Sequence, residues 1–361
     1  MTTLRYLHER LPISVLRRSK VKTGHPWSTR TLQTLSSIAA NGDTQLHRSY
    51  LYVPSSSDRM LEKSLVNKSD VIIYDLEDSV PPSVSDKNAA RNRLRNFISA
   101  KSEAELPSPG RIAVRLNAIN TAFFKDDIAE ALRWTSVRTL VLPKVQSALD
   151  LHHVSREIHT AMQMNSVRDP LQHPLRLVAS IESARSLFRL EEIAGWKSEY
   201  GPALGGSLAA LLFGAEDFCA DTSIIRTASR QELLFTRSQI VITAKAFGLD
   251  AIDMVCVNYK DLEYLKEECE DGRRLGFSGK QAIHPTQVDI IQSTFVPSPR
   301  EIFRAAKILH RMERAHSAQK GAIGLELEGG GKEMIDAPMV KQAENIIRIA
   351  KSAGLEIPQF A

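Results

Sequence analysis

LAALLFGAEDFCADT, residues 208–222, runs an apolar stretch into Gly214 and then sets Glu216, Asp217 and Asp221 within the next turns of chain. The apolar part has the length of a buried strand. Carboxylates placed against a core cost on the order of several kcal/mol unless they are paired or metal-bound. Strand ends are also often polar, and an Asp commonly caps the helix that follows. Taken alone, the stretch carries a structural reading and a functional one.

Seven further β-rich runs surround it, separated by segments of helical period: SYLYV (49–53), VIIYD (71–75), RIAVRL (111–116), RTLVLP (138–143), LRLVASIE (175–182), AIDMVCV (251–257) and KQAIHP (280–285). With 208–214 the strands number eight. Strand and helix alternating in this way predict a parallel (β/α)8 TIM barrel, in which chemistry collects at the C-terminal ends of the strands. An open doubly wound sheet is the alternative, but no Gly-x-Gly-x-x-Gly follows the first strand.

Ionisable groups follow nearly every run: Asp75, Glu77 and Asp78, then Arg115, Lys144, Glu182, Glu216 and Asp217, and His284. Any one of them suits a polar loop. Together they converge on one face, and the adjacency of the fifth and sixth strands brings Glu182 and Asp217 within reach of one ion. Two carboxylates with positions left open for water and substrate suit Mg²⁺. Arg115 either holds a substrate anion, through a planar fork that never loses its charge, or pairs with Asp75 at the edge of the core.

Length and charge bound the reading. A chain of 361 residues, 43% hydrophobic, can bury a barrel-sized core. Its net charge of +5 lies wholly within residues 1–45, where Arg5, Arg10, Arg17, Arg18, Lys20, Lys22 and Arg30 face Glu9 and Asp43. The rest is balanced and only 6% of the chain is aromatic, which argues against nucleic-acid binding. That leader, rich in Arg, Ser and Thr, is composed as a mitochondrial transit peptide, so the expected location is the mitochondrial matrix. No apolar run reaches membrane-spanning length, and no membrane insertion is expected. Cys219, Cys256 and Cys269 have neither disulfide nor zinc spacing, and Cys219 reads as core lining.

The stretches LYVPSSSDRMLEKS, IYDLEDSVPPSVSDKNAAR, VRLN, LPKV, SIESARSL, FGAEDFCAD, GRRLGFSGKQAIHPTQ and MIDAPMVKQAENII, in order from about Ser49 to Ala353, resemble the citrate lyase β-subunit-like branch of the HpcH/HpaI aldolase superfamily. The resemblance implies a Mg²⁺-dependent TIM barrel that makes or breaks a carbon–carbon bond between a 2-oxoacid and an acyl-CoA. Its expected reaction is cleavage of citramalyl-CoA to pyruvate and acetyl-CoA. Malyl-CoA cleavage, malate synthesis and malyl-CoA hydrolysis remain alternatives, and a non-catalytic RNA- or partner-binding barrel is a remote one. Carried onto matching positions, Glu182 and Asp217 are the metal ligands, Arg115 contacts substrate, and Arg59 and Lys63 meet the CoA phosphates. Asp336 is the acid/base, carried on a C-terminal arm that covers a neighbouring subunit's site in a homo-oligomer, a trimer or a multiple of one. Residues 46–298 then form the barrel and 299–361 the arm. GAIGLELEGGGKEMID, with Gly329–Gly331 at its tip, is longer than the family pattern, and Asp336 also reads as the N-cap of the helix after it.

Overall fold

Apolar residues on both faces of short strands force a sheet to be covered on both sides, and a sheet closed on itself and ringed by helices meets that demand. In the computed structural model, which describes residues 45–164, 169–317, 323–326 and 332–360, this is the outcome. Strands β1 (Ser49–Pro54), β2 (Val71–Asp75), β3 (Ile112–Arg115), β4 (Thr139–Leu142), β5 (Arg176–Ile181), β6 (Ser207–Phe213), β7 (Asp250–Asp253) and β8 (Gly279–Ala282) close in sequence order. Every pairing around the barrel is parallel, and β1 meets both β2 and β8. The chain therefore has the TIM-barrel fold rather than an open sheet.

Alternation along each strand sorts the side chains. Tyr50, Val71, Ile73, Ala113, Val178 and Leu212 cluster inside the barrel. Their neighbours Ile72, Tyr74, Val114, Leu177 and Leu211 join the larger core between sheet and helices. The same period carries Asp75, Arg115, Glu182 and Gly214 to the inward-facing series at the C-terminal rim. Helices begin and end on local signals. Ser83 caps Val84–Ser99 by accepting from the Asp86 amide at 3.1 Å. Asp261 caps Leu262–Leu275 at 2.9 Å, and that helix stops at Gly276, whose φ of 102° suits glycine.

Beyond the barrel, helix Pro299–Ser317, the antiparallel hairpin β9 (Ile323–Glu326) and β10 (Lys332–Ile335), and helix Ala337–Ser352 form an arm. Ile302, Ala305, Ile335, Ala343 and Ile347 give the arm a core of its own. It is rooted at the end of the barrel opposite the carboxylates. Ser352 and Ala353 line a hollow with Arg48, Lys68 and Arg111 near the strand starts, and Arg273 pairs with Glu301 at 2.8 Å. The leader, up to residue 44, and the Gly329–Gly331 tip lie outside the described residues. Among the described residues no helix is long and apolar enough to cross a membrane.

Candidate active site at the barrel mouth

The three acids of the opening stretch have three different fates. Glu216 forms an ion pair with Arg226, which also donates to Glu268 at 2.8 Å and to the Val255 carbonyl at 2.9 Å. Asp221 accepts from the Ala184 amide at 2.8 Å and so ties down the loop after β5. Asp217 alone of the three lines both cavities of the mouth, its side chain 48% exposed. The structural reading of the stretch therefore holds for Glu216 and Asp221, and Asp217 is the residue left for the functional one.

Glu182, one residue past β5, is its partner. The two line a cavity of about 370 Å³ with Tyr52, Asp75, Arg115 and Gln281, and they also line a second one of about 460 Å³ with Asn120, Lys144 and Asp221. Glu182 is 7% exposed and its Oε2 has no hydrogen-bond partner. Burial, and after it the charge of Asp217, push its carboxyl up to about 7 against a hydrogen bond with Ser180. Gly214 makes room for this side chain, since a Cβ there would stand 2.4 Å from Glu182 Cγ. A buried carboxylate oxygen without a donor, beside a second carboxylate in a cavity with room for water and substrate, fits a hard cation such as Mg²⁺. Among the described residues no cluster of three or more His, Cys, Asp or Glu is arranged for a metal, so a cation here would have two carboxylates and would take the rest of its shell from water and substrate.

Arg115 faces them from β3. Its Nε and Nη2 donate to the two oxygens of Asp75, each at 2.7 Å, and Nη1 lies 2.9 Å from Glu77 and 3.1 Å from Asp78. Of the two readings open for Arg115, pairing with Asp75 is thus present. A guanidinium has five N–H donors, so one on Nη2 stays available, and Asp78 is exposed enough to yield another. The guanidinium also lies over the Tyr52 ring at 4.7 Å. Burial works against the charge on Arg115, but Asp75 outweighs it and the net shift is upward. Asp75 is correspondingly held below the usual carboxylate range: burial raises it and Arg115 more than compensates. Amides of Glu77 and Ser79 donate to Asp75 at 2.9 and 3.1 Å, and Lys87 donates to the Leu76 and Glu77 carbonyls at 2.9 and 2.7 Å. The DLEDS loop is therefore fixed around the pair.

Arg59 and Lys63 are exposed on the helix Asp58–Ser64 that follows β1, so they share this end of the barrel without lining either cavity. Asp336 lines neither cavity. It is exposed and caps Ala337–Ser352, accepting from the Met339 amide at 2.9 Å. The site thus brings together Arg115, Glu182 and Asp217 and leaves Asp336 apart within one chain. Sequence reasoning assigned no role to Glu77, Lys144, Gly214 or Gln281. Gly214 alone had a readable signal, a glycine directly after an apolar strand and in step with its inward-facing residues. All three cysteines are buried and free, and Cys219 lines the core as its reading from sequence has it.

Residues 48–285 match the HpcH/HpaI aldolase/citrate lyase family. The mitochondrial citramalyl-CoA lyase of Rattus norvegicus is 30% identical over 306 residues, covering 84% of this chain and 86% of that protein. The citrate lyase subunit beta of Haemophilus influenzae is 30% identical over 311 residues, 85% of this chain and 98% of that one. The crystal structure of CitE from Mycobacterium tuberculosis in complex with magnesium, acetoacetate and coenzyme A is 28% identical, with a TM-score of 0.62 over 86% of this chain and all of that one. The chain belongs to the HpcH/HpaI aldolase/citrate lyase family, and it is an enzyme of the carbon–carbon lyase class.

Proposed function

We propose that this protein is a Mg²⁺-dependent acyl-CoA lyase that cleaves citramalyl-CoA to pyruvate and acetyl-CoA. The observation that carries this reading is the unpartnered Oε2 of buried Glu182 beside Asp217, in a cavity that also holds Arg115. The relative crystallised with magnesium and coenzyme A supports it by likeness.

When held by Glu182 and Asp217, the cation supplies Lewis acidity toward the hydroxyl and carboxylate oxygens of the substrate. Arg115, braced by Asp75, turns its remaining N–H toward the thioester oxygen. Breaking the bond between the hydroxyl carbon and the thioester α-carbon sends the electron pair into the thioester, and the hydroxyl proton passes to water in the open cavity as the C=O bond of pyruvate forms. The enolate so formed is stabilised by the fixed charge of Arg115. Asp336, as the free acid, gives the α-carbon its proton, and in the reverse direction its carboxylate removes one. Arg59 and Lys63 hold the CoA phosphates from the rim.

Asp336 reaches a mouth by way of a neighbouring subunit. The arm is rooted at the far end of its own barrel and carries its own core, which suits docking on another copy in a homo-oligomer, a trimer or a multiple of one. The basic leader and the mitochondrial relatives support a matrix location. Incubating the purified protein and Mg²⁺ with citramalyl-CoA, malyl-CoA and citryl-CoA tests the reading. Pyruvate and acetyl-CoA in equal amounts from the first, at the highest kcat/KM, are expected. Free CoA without acetyl-CoA would make the protein a thioesterase, and a preference for malyl-CoA would move the methyl-sized part of the specificity, worth about 1–3 kcal/mol, to glyoxylate.

A further inference from the structure

Lys144 is one of three residues other than glycine with positive φ among the described residues, at 54°. A side-chain-bearing residue persists in that region only where its surroundings over-determine it, and such outliers gather at functional sites. Here the bend directly follows β4 and sets the ammonium among the carboxylates of the mouth. Lys144 Nζ lies 3.3 Å from Glu77 Oε1 and 3.9 Å from Asp217 Oδ1. The other oxygen of Glu77, Oε2, is taken by Arg115 at 2.9 Å. Both oxygens of Glu77 thus face cations, whereas Glu182 Oε2 faces no donor and Asp217 lies beyond hydrogen-bond distance of Lys144.

The remaining carboxylates of the mouth are spoken for. Asp75 is locked on Arg115, Glu216 on Arg226, Asp221 on the Ala184 amide and Asp150 on the Gln146 and Ser147 amides, while Asp78 pairs with Arg115 from an exposed position. Glu77 is the buried one near enough to compete for a cation, because it shares the Lys144 ammonium with Asp217. An octahedral ion with oxygens at about 2.1 Å accepts a third carboxylate readily when one swings within reach, and each one accepted removes a position from water or substrate.

We propose that Lys144 is a positioning residue that holds Glu77 on the Arg115 side of the mouth and so keeps it out of the coordination of a cation bound by Glu182 and Asp217. The left-handed backbone is what places the ammonium between the two carboxylates. The proposal rests on the metal reading given above and adds to it the device that leaves the ion's exchangeable positions open.

The test uses Mn²⁺ as the probe, bound to the full-length metal-free protein, with water-proton relaxation reporting how many exchanging waters the ion keeps. Lys144→Met is expected to bind Mn²⁺ at least about threefold more tightly, since a cation is removed and a carboxylate released. Its relaxation enhancement should fall, and kcat should drop about tenfold or more with the thioester KM nearly unchanged. Lys144→Gly removes the same charge while relieving the left-handed backbone, so it separates loss of the ammonium from misfolding and should behave alike. Adding Glu77→Gln to Lys144→Met should return the relaxation to the wild-type value. Unchanged or weaker Mn²⁺ binding with wild-type relaxation in both single variants would overturn the proposal. Absence of Mn²⁺ binding by the wild-type protein would remove the metal reading itself, and the proposal with it.

Discussion

Gly214 and Glu182 act as one unit at the mouth. Glu182 occupies space that any larger residue at 214 would need, and its upward shift to about 7 makes that occupancy depend on pH. A carboxyl raised above its unfolded value binds a proton more readily in the folded state. It therefore favours folding at low pH, and this contribution is lost as pH rises from the usual carboxylate range through about 7. Metal binding runs the other way, because the ligand must be ionised. Calorimetric titration with Mg²⁺ across pH should show wild-type affinity falling toward tenfold per unit below about 7. Gly214→Ala should bind about tenfold or more weakly at every pH, since it displaces a ligand without touching the ion. Wild-type affinity in Gly214→Ala would mean that Glu182 is not a ligand.

At the level of elements, the last quarter of the barrel is tied together by charges. Lys280 of β8 is fully buried, with Nζ 3.1 Å from Glu268 Oε2 and 3.8 Å from Asp253 Oδ2. Arg237 donates to both oxygens of Asp253, at 3.1 and 2.8 Å, and Arg226 links Glu268 to Glu216 at the mouth. Burial pushes Glu268 up, but Lys280 and Arg226 outweigh it and hold the carboxyl below its usual range. Its stabilising contribution is therefore present above that range and lost as pH falls through it. Glu268→Gln should cost about 3–5 kcal/mol in urea unfolding at neutral pH, because it leaves Lys280 buried without its nearest counter-charge. A cost near zero would mean that Lys280 finds another partner.

None of this network was legible in sequence. Period two announces where a strand is apolar, but it says nothing about a lysine facing the helix layer. The strands themselves were legible: VIIYD has the boundaries read from sequence, and most others differ by a residue. The largest departure is AIDMVCV, where β7 stops at Asp253 although Met254 and Cys256 are buried. Apolar content reports burial there, not pairing. Of the site, the closeness of Glu182 and Asp217 was legible because the fifth and sixth strands are neighbours, and Arg115 was legible as a strand-end group on the same face of the barrel. The role of Lys144 was not, since its backbone conformation leaves no trace in LPKV.

For the whole molecule, the distance between Asp336 and the carboxylates of its own barrel is the main structural demand on the proposed chemistry. If a second copy supplies Asp336, mixing Asp336→Asn with Glu182→Gln protein should restore activity, because some sites then combine an intact metal pair with an intact donated acid. With subunit exchange shown independently, full exchange without recovery would mean that the arm closes over its own barrel. The central claim, however, is that Glu182 and Asp217 together hold the ion on which cleavage depends. Its most direct test is calorimetric titration of the metal-free protein with Mg²⁺ at a pH where Glu182 is ionised, alongside Glu182→Gln and Asp217→Asn. One site per chain in the wild type, lost in each variant while their thermal unfolding stays near that of the metal-free wild type, is the predicted result. Wild-type Mg²⁺ binding by either variant would contradict it.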